Sequence, residues 1–350
     1  MRIRGVCAVV GLLMGGAVFA HAPPQASGAI GHPTGTATGG PIRPRLAERL
    51  TSGSSGSDGY ELSLVPGFTS AGTIVADTPV LYTEAVFLGA EWLDLDFAGD
   101  SVSGLDSFYE GYDGSNYSTL TSEYTENWIG GNSRRPLPTD GIHYGGHIID
   151  PHPFIFPEVA DVGVGAGAGN RENAELAAAT TEICTLVGDG RLRLHGGNVV
   201  NYFPVYASRP RPLGSACAVH GYSQFLSGYC SNTTDQLPAL FYATVFFSTA
   251  HDSSCDVEDK QTGHSPGLAS LANSSARALA EVMTDPAFSG WMDSTGNEID
   301  DKCAWTFNVP FVTFSNGTEW KLQGLWSNTA FDTGTGYLNA EGEKGCVDGH

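Results

Sequence analysis

Residues 266–305, PGLASLANSSARALAEVMTDPAFSGWMDSTGNEIDDKCAW, read as one long helix followed by a loop crowded with carboxylates. Ser265 offers a capping hydroxyl, and Pro266 has a φ already suited to the first helical position. Asp285-Pro286 ends the helix, because a proline ring disfavours α geometry in the residue before it. At about 100° per residue, Leu268, Leu271, Ala272, Ser275, Leu279, Val282 and Met283 fall along one stripe. Arg277 lies opposite that stripe, with Ala278, Glu281 and Asp285 on the same flank. The expectation is an amphipathic helix that packs on its apolar side and turns 277, 278, 281 and 285 outward. Arg277 and Glu281 then stand at i, i+4 spacing, where opposite charges pair.

Working outward, ALFYATVFFST (239–249) is apolar enough to be a strand buried on both faces. TPVLYTEAVFLG (78–89), WLDLDFAG (92–99), GIHYGGHIID (141–150) and NVVNYFPVY (198–206) also read as extended. SGLDSFYEGY (103–112) places Leu105, Phe108, Tyr109 and Tyr112 at helical spacing, and YSTLTSEYTENW (117–128) suggests a second helix. RENAELAAATTEICTLV (171–187), with Asn170 as its cap, is a further helix. FVTFSNGTEWKLQGLW (311–326) reads as a hairpin turning at Asn316-Gly317. The predicted class is α+β, with mixed α/β as its neighbour: one large domain with a mixed central sheet, a long helix at the site and a β-rich C-terminal part.

The ends and the bulk composition set the compartment. Arg2 and Arg4 precede an apolar run that closes on Val18-Phe19-Ala20, the pattern of a signal peptide over residues 1–20. Residues 21–59, rich in Pro, Gly, Ser and Thr, cannot bury enough apolar surface to offset chain entropy and read as a disordered leader before a domain at 60–350. No later segment has the length and apolarity of a membrane span. Cys7 leaves with the signal peptide, and Cys184, Cys217, Cys230, Cys255, Cys303 and Cys346 suggest three disulfides in a secreted protein, at the cell surface or in the periplasm. With 38 acidic against 17 basic residues, the formal charge is −21, and loss of Arg2 and Arg4 makes it more negative. Such a surface repels phosphate backbones and anionic membranes, so nucleic acid is excluded as a partner.

Several constellations hold candidate chemistry, each beside a plainer reading. His143, His147 and His152 converge on a metal only if the chain turns at Gly145-Gly146. In a regular strand His143 and His147 share a face roughly 13 Å apart, too far for one ion. His264, before the long helix, and His251, after the buried strand, are either surface histidines or acid–base groups near Glu281. The loop DSTGNEIDD gathers Asp293, Asn297, Glu298, Asp300 and Asp301, oxygen donors of the kind calcium takes, or else a solvated acidic loop pinned by Cys303. Phe108, Tyr109, Tyr112, Tyr117, Tyr124 and Trp128 are either a sugar-stacking surface or core.

The segments DVEDKQTGHSPGLASLANSSARALAEVMTDPAFSGWMDSTGNEIDDKCAWTF and VTFSNGTEWKLQGLWSNTAFDTGTGYLNAEGEKGCV resemble a group of exported bacterial proteins similar to the plant EXORDIUM, or phosphate-induced, family. GLDSFYEGYDGSNYSTLTSEYTENW and YGGHIID extend the resemblance across most of residues 78–346. It implies a helix carrying His-Glu-x-x-Glu before Thr-Asp-Pro, like the ligand-and-base helix of a zincin-like metallopeptidase, then a loop ending Asp-Lys-Cys-Ala-Trp. This chain keeps LAEVMTDP and DKCAWTF but has Arg277 in place of the His and Ala278 in place of the first Glu. Arginine has no lone pair for a metal, and alanine takes no proton from water. The candidate catalytic residues are therefore Glu281, Arg277 and His264, and the candidate ligands for zinc or calcium are Glu281, Asp285, His264, Asp293 and Asp300. The leading expectation is a degenerate metallopeptidase-like protein that binds an extracellular protein or polysaccharide. Its rivals are a metal-dependent hydrolase with a rearranged site and a cell-wall polysaccharide-binding protein.

Overall fold

A computed structural model describes residues 63–64, 80–124, 126–127, 134–135, 141–156, 168–195, 199–209, 218–223, 240–246, 255–284, 291–293 and 297–350. The signal-peptide and leader readings lie outside these residues, as do Trp128, Cys217, Cys230, His251 and Asp285.

The centre is a five-stranded sheet of β1 (Val80–Leu88), β2 (Ile142–Asp150), β3 (Val199–Ala207), β4 (Ala218–Ser223) and β5 (Leu240–Phe246). Its order is β2-β1-β3-β5-β4; the first four strands run parallel, and β4 pairs antiparallel with β5 at the edge. Parallel neighbours need long crossovers, and helices supply them. Helix α1 (Ser101–Tyr112) lies between β1 and β2 in sequence, α2 (Ala168–Gly188) between β2 and β3, and α3 (Pro266–Thr284) follows β5.

Strand alternation divides the core between the two faces of the sheet. Leu81, Ala85 and Phe87 of β1 join Val200, Tyr202 and Tyr206 of β3 in a large cluster with α1 and α3. Val86, Leu88, Phe203, Val205 and Ala207 pack on the other face against Ala179, Ile183 and Leu186 of α2. Helices therefore cover both faces, and the expected mixture of helix and strand around a mixed sheet is present.

Two local expectations need correction. Residues 92–99 are not a strand: Ala90–Leu93 and Leu95–Ala98 form short helical turns. Asp94 caps the second turn by accepting from the Asp96 N–H at 3.0 Å, which outweighs the period-two alternation of the sequence. The helix expected over 117–128 is also shorter. It runs Asn116–Thr119, capped by Ser115, and passes into a 3₁₀ turn at Leu120–Glu123.

The C-terminal part is β-rich, as expected. β6 (Val312–Thr313) and β7 (Glu319–Trp320) form the hairpin, and Gly317 in its turn has φ 82°. β8 (Leu325–Trp326), β9 (Tyr337–Leu338) and β10 (Lys344–Val347) form an antiparallel sheet in the order β8-β10-β9. A disulfide joins Cys303 to Cys346 in β10, and Cys184 and Cys255 are also disulfide-bonded. Among the described residues no helix is long and apolar enough to cross a membrane.

Candidate functional site

Helix α3 starts as its sequence demands. The Ser265 hydroxyl accepts from the Leu268 N–H at 3.1 Å, and Asp100 accepts from both the N–H and the hydroxyl of Ser265, at 2.9 and 2.5 Å. The apolar stripe from Leu268 to Met283 is buried. Ser275, within it, shares a hydrogen bond of 2.8 Å with the Tyr206 hydroxyl.

The opposite flank departs from expectation. Ala278 and Glu281 are each only 3 % exposed, and the Arg277 side chain is 14 % exposed. The acidic loop and the C-terminal strands fold over this side. Asn273 of α3 accepts from the Gln323 N–H at 2.9 Å, and the Gln323 amide donates to the Asp300 carbonyl at 2.9 Å. Ile299, fully buried, accepts from the Trp326 N–H at 2.8 Å. The flank is an interior seam, and a helical wheel cannot see a cover supplied from elsewhere in the chain.

Inside the seam, ligand atoms of Glu281, Asp300 and Asp301 lie within 4.8 Å of one another. Arg277 enters this group: its Nε donates to Asp300 Oδ2 at 2.5 Å and its Nη2 to Asp301 Oδ1 at 3.1 Å. Arg277 keeps the electrostatic interaction with Glu281 expected at i, i+4, but its hydrogen bonds fork onto two loop aspartates. Burial, reinforced by the charges of Asp300, Glu298 and Asp301, holds the Glu281 carboxyl well above the ordinary carboxylate range, and Arg277 only partly opposes this. The Glu281 proton is therefore held more firmly than that of an exposed glutamate. Burial also raises Asp300, with Arg277 pulling the other way. Burial disfavours the charge of Arg277, but Asp300, Asp301 and Glu281 outweigh it, and the guanidinium stays protonated.

The other candidates do not join this group. His264 stands 17 residues before Glu281, about 26 Å along the helix axis. Its ring stacks on Trp320 at a centroid separation of 4.2 Å, and its Nδ1 is 2.9 Å from the Thr262 hydroxyl. Burial holds its pKa down. The proposed pairing of His264 with Glu281 is thus overturned by helix length alone. Asp293 accepts from the backbone and side-chain amides of Asn297, at 3.0 and 2.9 Å, and from Lys302 Nζ at 3.3 Å. The loop's acids are accordingly divided between two cations, Arg277 and Lys302, and do not form one oxygen cage.

The histidines of β2 are separated by a bulge. Thr83 of β1 faces Tyr144 while Ala85 faces His147, so three residues of β2 oppose two of β1, and Gly146 takes φ 100°. His147 therefore lies on the α1 side, 2.8 Å from Asp106, and His143 faces the other way. His152, past the end of β2, is held at 2.7 Å by Asp150, which also binds Arg191. The convergence considered for the three histidines does not occur. Phe108, Tyr109, Tyr112, Tyr117 and Tyr124 are all core residues.

Sequence reasoning singled out Glu281, Arg277 and Asp300 but did not foresee that Arg277 pairs with Asp300 and Asp301, and it did not weigh Lys302. Its burial was signalled only by a lone cation among acids beside a cysteine. No protein-family model, no curated protein and no solved structure matches this chain.

Proposed function

We propose that this is an exported binding protein built on a metallopeptidase-like helix whose metal has been exchanged for a guanidinium. One observation carries the reading: Arg277 reaches two aspartates of a buried carboxylate group, at 2.5 and 3.1 Å. That is the place where the resemblance puts a metal-binding imidazole. A bound divalent ion would need two or more of these carboxylates, and the guanidinium already takes two. No histidine belongs to the group among the described residues, Ala278 offers no base, and burial pushes the Glu281 carboxyl up. Activation of water for hydrolysis has no agent here. The zincin-like part of this reading rests on the sequence of α3 and its following loop. The Cys303–Cys346 disulfide fits an oxidising compartment outside the cytoplasm. The ligand in this reading is an extracellular protein or polysaccharide.

The test is the metal content of the purified exported protein, measured beside Arg277→His/Ala278→Glu. Wild type carries no stoichiometric zinc or calcium, and the double variant, with imidazole and carboxylate restored, gains zinc. Stoichiometric zinc in wild type that disappears in Glu281→Ala would overturn the reading.

A further inference from the structure

We propose that Lys302 and Asp293 close into an intramolecular amide, with Glu343 as the proton carrier. Lys302 is enclosed: its side chain is 4 % exposed and that of Asp293 is 6 % exposed. The Lys302 Nζ lies 3.3 Å from Asp293 Oδ2 and 3.8 Å from Glu343 Oε2. It also sits 4.3 Å from the centroid of Trp326, whose ring shields it from water. The amine and the acceptor carboxyl are thus held together away from water, with a second acid, whose side chain is 18 % exposed, beside them.

Each partner is fixed by groups outside the pair. The Asn297 N–H donates to Asp293 Oδ1 and the Asn297 side chain to Oδ2, so donors face the oxygens where negative charge builds up during attack on Cγ. Asn339 Nδ2 donates to Glu343 Oε2 at 3.3 Å. The neighbouring Cys303 is tied to Cys346 of β10, and the Glu343-bearing turn leads into that strand. This fixes Glu343 relative to Lys302. Reactants held in this way gain the large effective concentrations of intramolecular reactions.

The step balances without an oxidant or reductant. A proton passes from the Lys302 ammonium to the carboxylates, and the freed lone pair on Nζ attacks Asp293 Cγ. Glu343 carries the second proton from nitrogen to the departing oxygen. The C–N bond forms, the C–O bond breaks and one water leaves. Release of that water is favoured by burial, because the neutral amide replaces two enclosed charges whose desolvation is unfavourable.

The experiment is an intact mass measurement of the mature protein, reduced and alkylated, followed by tryptic mapping. The expected mass is one water below that of the sequence, with the peptides bearing Asp293 and Lys302 joined and no cleavage after Lys302. Lys302→Arg restores the full mass, which separates this bond from any other loss of water. Glu343→Gln slows or abolishes closure in freshly made protein. A full-mass wild type, cleaved by trypsin after Lys302, overturns the proposal. A water deficit that persists in Lys302→Arg does the same, and wild-type closure in Glu343→Gln removes Glu343 from the reaction.

Discussion

Replacing Glu281 by glutamine removes a proton that the folded protein keeps and the unfolded chain releases. The folded carboxyl is held well above its ordinary value by burial and by Asp300, Glu298 and Asp301, whereas an unfolded glutamate titrates near about pH 4.3. A raised carboxyl pKa contributes stability that is complete below the unfolded value and is lost as pH rises toward the folded one. Each pH unit in that window removes about 1.36 kcal/mol per retained proton. As pH rises through that window the wild type therefore loses stability through Glu281. Glutamine at 281 offers a neutral group of the same shape and removes this dependence. Asp300, also raised, interacts directly with Glu281, so the difference between the two slopes reports the change from a coupled pair to Asp300 alone. Guanidinium unfolding at several pH values gives that difference directly. Glu281→Gln gains on wild type as pH rises through that window, by at most about 1.36 kcal/mol per pH unit; parallel pH profiles would refute the argument that burial raises the Glu281 carboxyl.

Arg277→Leu strands Asp300 and Asp301 without their cation, which costs about 3–5 kcal/mol near neutral pH. Unfolding midpoints show a smaller loss at pH 5, where the orphaned carboxyls take protons. Removing the Cys303–Cys346 bond as a double serine variant frees a loop spanning 43 positions in sequence and costs roughly 4 kcal/mol by the chain-entropy relation. Thermal unfolding of the two forms under non-reducing conditions checks this. Gly317→Ala forces a side chain onto a residue with φ 82° and lowers stability by about 1–2 kcal/mol, read from denaturant midpoints.

Much of the framework was legible in the sequence. The strands 80–88, 142–150, 199–207 and 240–246 stand where extended runs were expected, and α3 begins at its Ser265 cap, whereas α2 starts at Ala168 and takes the expected cap, Asn170, into the helix. Residues 92–99 misled because W-L-D-L-D-F alternates like a strand, while Asp94 closes a helical turn. The site was legible in its members but not in its setting. Periodicity showed the stripe of α3 that meets the sheet and gave no account of the loop that covers the other flank. A compositional clue was available: from 266 to 284 the helix carries only Arg277 and Glu281 as charges, and outside its apolar stripe the other residues are mostly alanine, serine and asparagine. A helix with so little charge opposite its apolar stripe is one enclosed on all sides. The glycine bulge in β2 was equally hidden, since only the register against β1 reveals that His143 and His147 point apart.

The cover over Arg277 comes from residues 297–326, and its disulfide anchor is Cys346, four residues from the end of the chain. These residues follow the sheet and α3 in chain order, so the helix is made before its cover. The sheet and α3 must therefore persist for a time with a bare cation and a bare acid on their surface. A chain cut short before the final strand would stay in that state permanently, presenting an unsealed apolar and acidic groove to proteases and chaperones. Sealing of α3 therefore depends on segments distant from it in sequence, and limited proteolysis of a chain truncated before Cys346 would cut faster around α3 than in the full chain.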